Sequence, residues 1–121
     1  SAASDVYKRQ DACHPAVLRQ IQRVIVEAHR AGIWVGVCGE LAGDPDAVPI
    51  LLGLGLDEFS MAPPSIPRAK AIVRAWSLAS AQRLAAEVVN LDSAEAVRAT
   101  VRGCSQSDSL PGIGHESAQT R

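Results

Sequence analysis

A short apolar run, Ile33-Trp34-Val35-Gly36-Val37, stops abruptly at Cys38, Gly39, Glu40 and, after Leu41-Ala42, a further glycine at Gly43. Largely β-branched or aromatic and bounded by Gly32 and Gly39, the run reads as a strand buried on both faces, the pattern of parallel sheets covered by helices. Such a strand needs neighbours, which narrows the fold class to α/β. Ligands of α/β sheets gather at the carboxyl ends of strands, and Cys38 falls at such an end with a flexible glycine directly behind it. Asp44-Pro45 follows as an N-cap carboxylate with proline at the first helical position, so a helix starts just past this turn.

The rest of the chain supplies few partners for that strand. His14-Pro15 opens a helix whose Val17, Leu18, Ile21, Val24, Ile25 and Ala28 form one apolar stripe, and Gly32 ends it. A short helix is expected from Asp46 to about Leu54, followed by a second short strand over about 57–61, with Phe59 and Met61 alternating. Two short strands do not make a sheet that covers a core. From Pro63 the pattern is helical: Ser65 and Pro67 start a helix carrying Ile66, Ala69, Ile72, Val73 and Trp76, and a second carries Ala81, Leu84, Ala85 and Val88. A third is capped by Asp92 with Glu95 in a capping box ahead of Val97 and Val101. After Gly103 the apolar periodicity stops, and 104–121 reads as a disordered tail. The chain thus looks like a helix-rich piece of a larger α/β fold, and a half-built sheet would leave strand edges and apolar helix faces uncovered.

Composition removes several classes of function. A formal net charge of -1 on 121 residues, with Lys and Arg scattered, gives no basic stripe for nucleic acid. No apolar run approaches the ~18 residues of a membrane span, and the start lacks the layout of a signal peptide, so no membrane insertion and a cytoplasmic location are expected. Cys13, Cys38 and Cys104 are an odd number without a C-x-x-C pair, which argues for free thiols rather than a disulfide scaffold. A zinc site from Cys13, His14 and Cys38 lacks usable spacing.

Val37-Cys38-Gly39-Glu40-Leu41-Ala42-Gly43-Asp44 resembles the cysteine segment of the phosphoenolpyruvate-utilising enzymes, most of all the branch formed by enzyme I of the bacterial sugar phosphotransferase system. Leu52-Gly53-Leu54-Gly55-Leu56-Asp57-Glu58-Phe59-Ser60-Met61 and Ser65-Ile66-Pro67-Arg68 stand in that family's order and spacing, and His14-Pro15-Ala16-Val17-Leu18 resembles the preceding helix. The resemblance implies the C-terminal part of a (β/α)₈ TIM barrel over 12–103, with the strand ending at Cys38 as its last, preceded by a leader over 1–11 that departs from the family and reads as an artefact of truncation or assembly. It implies a phosphotransferase that moves the phosphoryl group of phosphoenolpyruvate to a protein histidine, with Cys38 as proton donor to the enolate that becomes pyruvate. It also implies Mg²⁺ held by ligands outside this sequence, the phosphocarrier protein HPr as partner through an N-terminal domain, and a homodimer; the isolated piece would be inactive.

The individual residues also carry plainer readings. Cys38 could be a small buried apolar residue, although a thiol with a pKa near 8.5 also suits proton donation to carbon. Gly39 and Glu40 would support the substrate loop, Glu40 first as a structural acid. His14 is expected to cap its helix, His29 to sit near that helix's end, and Arg68 to lie on the surface. Alternatives to the phosphotransferase are a pyruvate phosphate dikinase or phosphoenolpyruvate synthase, a non-catalytic dimerisation module built from the later helices, or a thiol redox sensor at Cys38.

Overall fold

A computed structural model describes residues 11–107; nearly all of the expected leader and the tail beyond Ser107 lie outside the described residues. In chain order the elements are α1 (Pro15–Arg30), β1 (Gly36–Cys38), α2 (Glu40–Gly43), α3 (Ala47–Leu54), β2 (Glu58–Ser60), a 3₁₀ turn at Pro63–Ser65, α4 (Ile66–Ala75), α5 (Leu78–Val88) and α6 (Ala94–Ser107). The architecture is α/β and helix-rich, with a parallel two-stranded sheet in the register Gly36↔Glu58, Val37↔Phe59 and Cys38↔Ser60.

Helix α3 organises the core. A helix apolar all round has to be enclosed, and Ala47, Val48, Pro49, Ile50, Leu51 and Leu54 are all buried. The residues that enclose it are Leu18 and Ile25 of α1, Leu84, Ala85 and Val88 of α5, and Val97 and Val101 of α6, all in one cluster. Helices α3 and α5 meet in backbone contact at Gly53, where a Cβ would stand 2.0 Å from the Ala81 carbonyl oxygen. Arg19 adds a polar tie, donating to the Val89 carbonyl at 2.7 Å and fastening α1 to the end of α5.

The caps follow the expected chemistry in part; Ser65 stands at the N-cap of α4 but makes no side-chain cap bond. His14 Nδ1 accepts from the Ala16 N–H at 3.1 Å, and Ser77 Oγ accepts from the Ser80 N–H at 3.1 Å. Asp44, expected as the N-cap of α3 with Pro45 first in the helix, is instead the C-cap of α2, and α3 starts at Ala47 after Asp46. The Asp44 carboxylate still accepts from the Asp46 N–H, and its carbonyl from the Val48 N–H at 3.0 Å. The cap of α6 is Ser93 rather than Asp92, because the Ser93 hydroxyl is placed to accept from the Ala96 N–H at 3.1 Å. Helix α6 also passes Gly103 and reaches Ser107, four residues into the stretch read as tail.

The strands differ from expectation more than the helices do. The strand expected over 33–38 is three residues long, and it is not buried: Gly36 and Cys38 are exposed, and the preceding Ile33 and Trp34 are 59% and 67% accessible. The second strand, expected over about 57–61, is likewise three residues, Glu58–Ser60. The reason is pairing. β1 has β2 on one side and no other strand beside it among the described residues, so neither its free edge nor its flanking apolar side chains are covered. The same deficit leaves Val24 of α1 58% accessible and leaves Ala69 as the one buried residue of α4. Nor is the strand carrying Cys38 last in its sheet, because β2 follows it in parallel through α2 and α3 as a βαβ unit.

Candidate functional site

Because β1 and β2 run the same way, their carboxyl ends lie side by side, with Cys38 opposite Ser60. The Gly39 N–H donates to the Ser60 carbonyl at 3.1 Å, carrying the ladder one step beyond the thiol. Gly39 then turns with φ of +90°, a conformation that L side chains avoid, although a Cβ there would touch nothing within 4 Å. Glycine is therefore needed for the turn itself and not for space. Glu40 opens α2 with its side chain exposed.

Cys38 is exposed at this edge, so the buried, small-apolar reading does not describe it. That reading belongs to Cys13, which is fully buried in the core and whose thiol burial pushes up to about 12, with nearby Asp44 acting in the same sense. The segments that follow the two strands enclose an open depression of about 450 Å³, lined by Gly39, Glu40, Gly43, Asp44, Met61 and Arg68 among others. Cys38 immediately precedes this lining. Arg68 is exposed, as expected, but its guanidinium reaches towards the Gly43 carbonyl at 3.4 Å and so faces the same depression.

The back of the turn is held by a cluster that the sequence did not announce. Arg98 of α6 donates to both oxygens of Asp11 at 2.8 Å, to both of Asp44 at 3.1 and 2.7 Å, and to Asp46 at 2.8 Å. Arg102, one helical turn on, adds 3.0 Å to Asp46. Sequence separations of 87, 54 and 52 residues leave no local pattern by which these partners could be matched. At the other end of the sheet, His29 Nε2 lies 2.7 Å from Asp57, whose carboxylate also accepts from the Val35 N–H at 2.8 Å. The His29 and Val35 hydrogen bonds hold the Asp57 carboxyl below its ordinary range.

The Arg98 cluster has a pH signature. Hydrogen bonds from Arg98 keep Asp11 below the ordinary carboxylate value; for Asp44, burial opposes ionisation, but the Arg98 and backbone hydrogen bonds outweigh it, so its carboxyl is also lowered. Lowered folded-state values mean that this stabilisation is complete above the ordinary value of about 4 and is lost as pH falls through the folded values. Thermal melting followed from pH 7 to pH 2 should therefore show an acid limb that Arg98→Met flattens. At pH 7 the same variant should cost on the order of 2–3 kcal/mol, because it strands partly buried carboxylates.

Among the described residues no group of three or more His, Cys, Asp or Glu side chains could hold a metal ion. Where three aspartates do converge, the guanidinium of Arg98 already meets their charge, so this donor set does not fit Mg²⁺.

The family model described as PEP-utilising enzyme, PEP-binding domain, matches residues 2–78. The chain belongs to the phosphoenolpyruvate-utilising enzymes through that domain. Relatives that carry a more particular name are the phosphoenolpyruvate-protein phosphotransferases of Geobacillus stearothermophilus, 52% identical over 89 residues, and of Bacillus subtilis, 47% identical over 89 residues. These alignments take in 74% of this chain in both cases, and 15% and 16% of the respective relatives. A multiphosphoryl transfer protein of Xanthomonas campestris pv. campestris is 48% identical over 89 residues, covering 74% of this chain and 11% of the relative. The chain thus spans about 15% of the length of the curated relatives it matches first.

Proposed function

We propose that this chain is the C-terminal part of the barrel of a phosphoenolpyruvate-protein phosphotransferase, and that Cys38 delivers the proton that completes pyruvate. In this reading the phosphoryl group leaves the enol oxygen of phosphoenolpyruvate for a histidine nitrogen: a P–O bond breaks, a P–N bond forms, and an enolate remains. The Cys38 S–H then gives its proton to C3, a C–H bond forms, and the thiolate recovers a proton from solvent. A thiol suits the task because it is compact and weakly hydrated, so it can lie beside the CH₂ carbon without bringing in a competing water.

The observation that carries the reading is the exposed thiol at the carboxyl end of a parallel strand pair, one residue before the lining of an open depression, in a chain of this family. Gly39 and Glu40 shape the substrate-side turn, Gly39 through its positive φ. Mg²⁺ would neutralise phosphate charge, with ligands from outside the described residues. The wider assignment comprises HPr as phosphoryl acceptor through an N-terminal domain, a homodimer, a cytoplasmic location and a role in sugar transport. It rests on the resemblance to enzyme I of the sugar phosphotransferase system; the relatives' names support phosphoenolpyruvate as donor and a protein as acceptor. Replacing Cys38 by alanine in the full-length protein and following pyruvate formation tests the proton-donor role, and unchanged turnover would remove it.

A further inference from the structure

We infer that Arg98, on the far helix α6, is a positioning residue for the Cys38 turn and acts on it through Asp44. The inference rests on the proton-donor reading for its catalytic consequence, but its geometric content stands apart from it. The segment from Cys38 to Asp44 is short and carries little burial of its own; within α2 only Ala42 is buried. It is fixed at its two ends. At the front, the Gly39 N–H donates to Ser60 on β2. At the back, Asp44, the C-cap of α2, is gripped through both carboxylate oxygens by Arg98 at 3.1 and 2.7 Å, while its own N–H donates to the Leu41 carbonyl at 3.2 Å.

A planar guanidinium bridging carboxylates in this way fixes direction as well as distance, which a lysine ammonium would not. Asp44 passes that constraint along both directions of the chain: forward to α3 through the Asp46 N–H, and back to α2 through Leu41. The Asp11 leg of the cluster differs in kind. It ties α6 to the residues before α1 and touches nothing in the turn. Three aspartates share one arginine: Asp11 before α1, Asp46 at the start of α3, and Asp44, which alone closes the turn that follows the thiol.

That asymmetry gives the test, done in the full-length protein that carries this chain. The tryptic segment from Ala31 to Arg68 contains Cys38 as its only cysteine, so iodoacetamide labelling of Cys38 can be followed alone by mass spectrometry. Asp44→Asn and Arg98→Met should each change the Cys38 labelling rate at least about threefold and lower kcat about tenfold or more, in keeping with the sensitivity of catalysis to ångström-scale misplacement. Asp11→Asn and Val97→Ala, which weaken the anchoring of α6 without touching the turn, should lower Tm and leave both readouts within twofold of wild type at 25 °C. If all four variants shift Cys38 labelling in proportion to their loss in Tm, or if Asp44→Asn leaves it unchanged, Arg98 is a stability residue only and the inference is overturned. Should labelling respond as expected while Cys38→Ala retains full turnover, the positioning stands and the proton-donor reading falls.

Discussion

Under the proposed proton-donor role, Cys38→Ala in the full-length protein should lower the rate of pyruvate formation from phosphoenolpyruvate by about 10²-fold or more, the usual worth of a positioned general acid. With the donor gone, the enolate must take its C3 proton from water. Histidine phosphorylation should be slowed less than pyruvate release, because in the proposed sequence the P–O bond breaks before Cys38 gives up its proton. Cys38→Ser should restore little, since an alkyl hydroxyl is a far weaker acid than a thiol. The comparison is made by quenched-flow measurement of phosphohistidine and pyruvate in one reaction. Equal loss in both would shift the role of Cys38 from proton donation to substrate binding.

The second large effect lies away from the site. Gly53→Ala should destabilise the fold by about 2–3 kcal/mol, although alanine is the better helix former by about 1 kcal/mol. The added Cβ would stand 2.0 Å from the Ala81 carbonyl oxygen and 2.4 Å from its carbon. Both are backbone atoms of α5, so relief requires the helices to part and the shared core to loosen. Gly103→Ala provides the control of opposite sign: it lies on an exposed stretch of α6 with nothing within 4 Å of its new methyl, and should stabilise by up to about 1 kcal/mol. Denaturant midpoints of the two variants, measured side by side, separate close packing from helix propensity.

The helices were readable because their signals are local. His14-Pro15 at the start of α1, the unbroken apolar run of α3 and the three-and-four spacing of Ala81, Leu84, Ala85 and Val88 each state a helix within a few residues. The position of Cys38 at a strand end was legible for the same reason. Burial of its strand was not, since burial depends on neighbours: the run from Ile33 to Val37 has the composition of a covered strand and is left open for want of a second pairing edge. Ser93 caps α6 in place of Asp92 because two adjacent residues both suit that position, and local sequence does not separate them. The Arg98 cluster was out of reach altogether. Arginine and aspartate are ordinary surface residues in one dimension, and only the packing of α6 against both the α2–α3 turn and the residues before α1 brings Asp44, Asp46 and Asp11 to one guanidinium.

Whether the sulfur of Cys38 lies beside the carbon it is said to protonate can be asked with an electrophile shaped like the product. Bromopyruvate carries its leaving group on C3; attack by a neighbouring thiolate forms a C–S bond there and expels bromide. In the full-length protein the Ala31–Arg68 peptide should be labelled at Cys38 faster than any other cysteine peptide, and phosphoenolpyruvate with Mg²⁺ should protect it. Labelling at Cys38 no faster than with iodoacetamide, or indifferent to phosphoenolpyruvate, would contradict the placement of this thiol at C3.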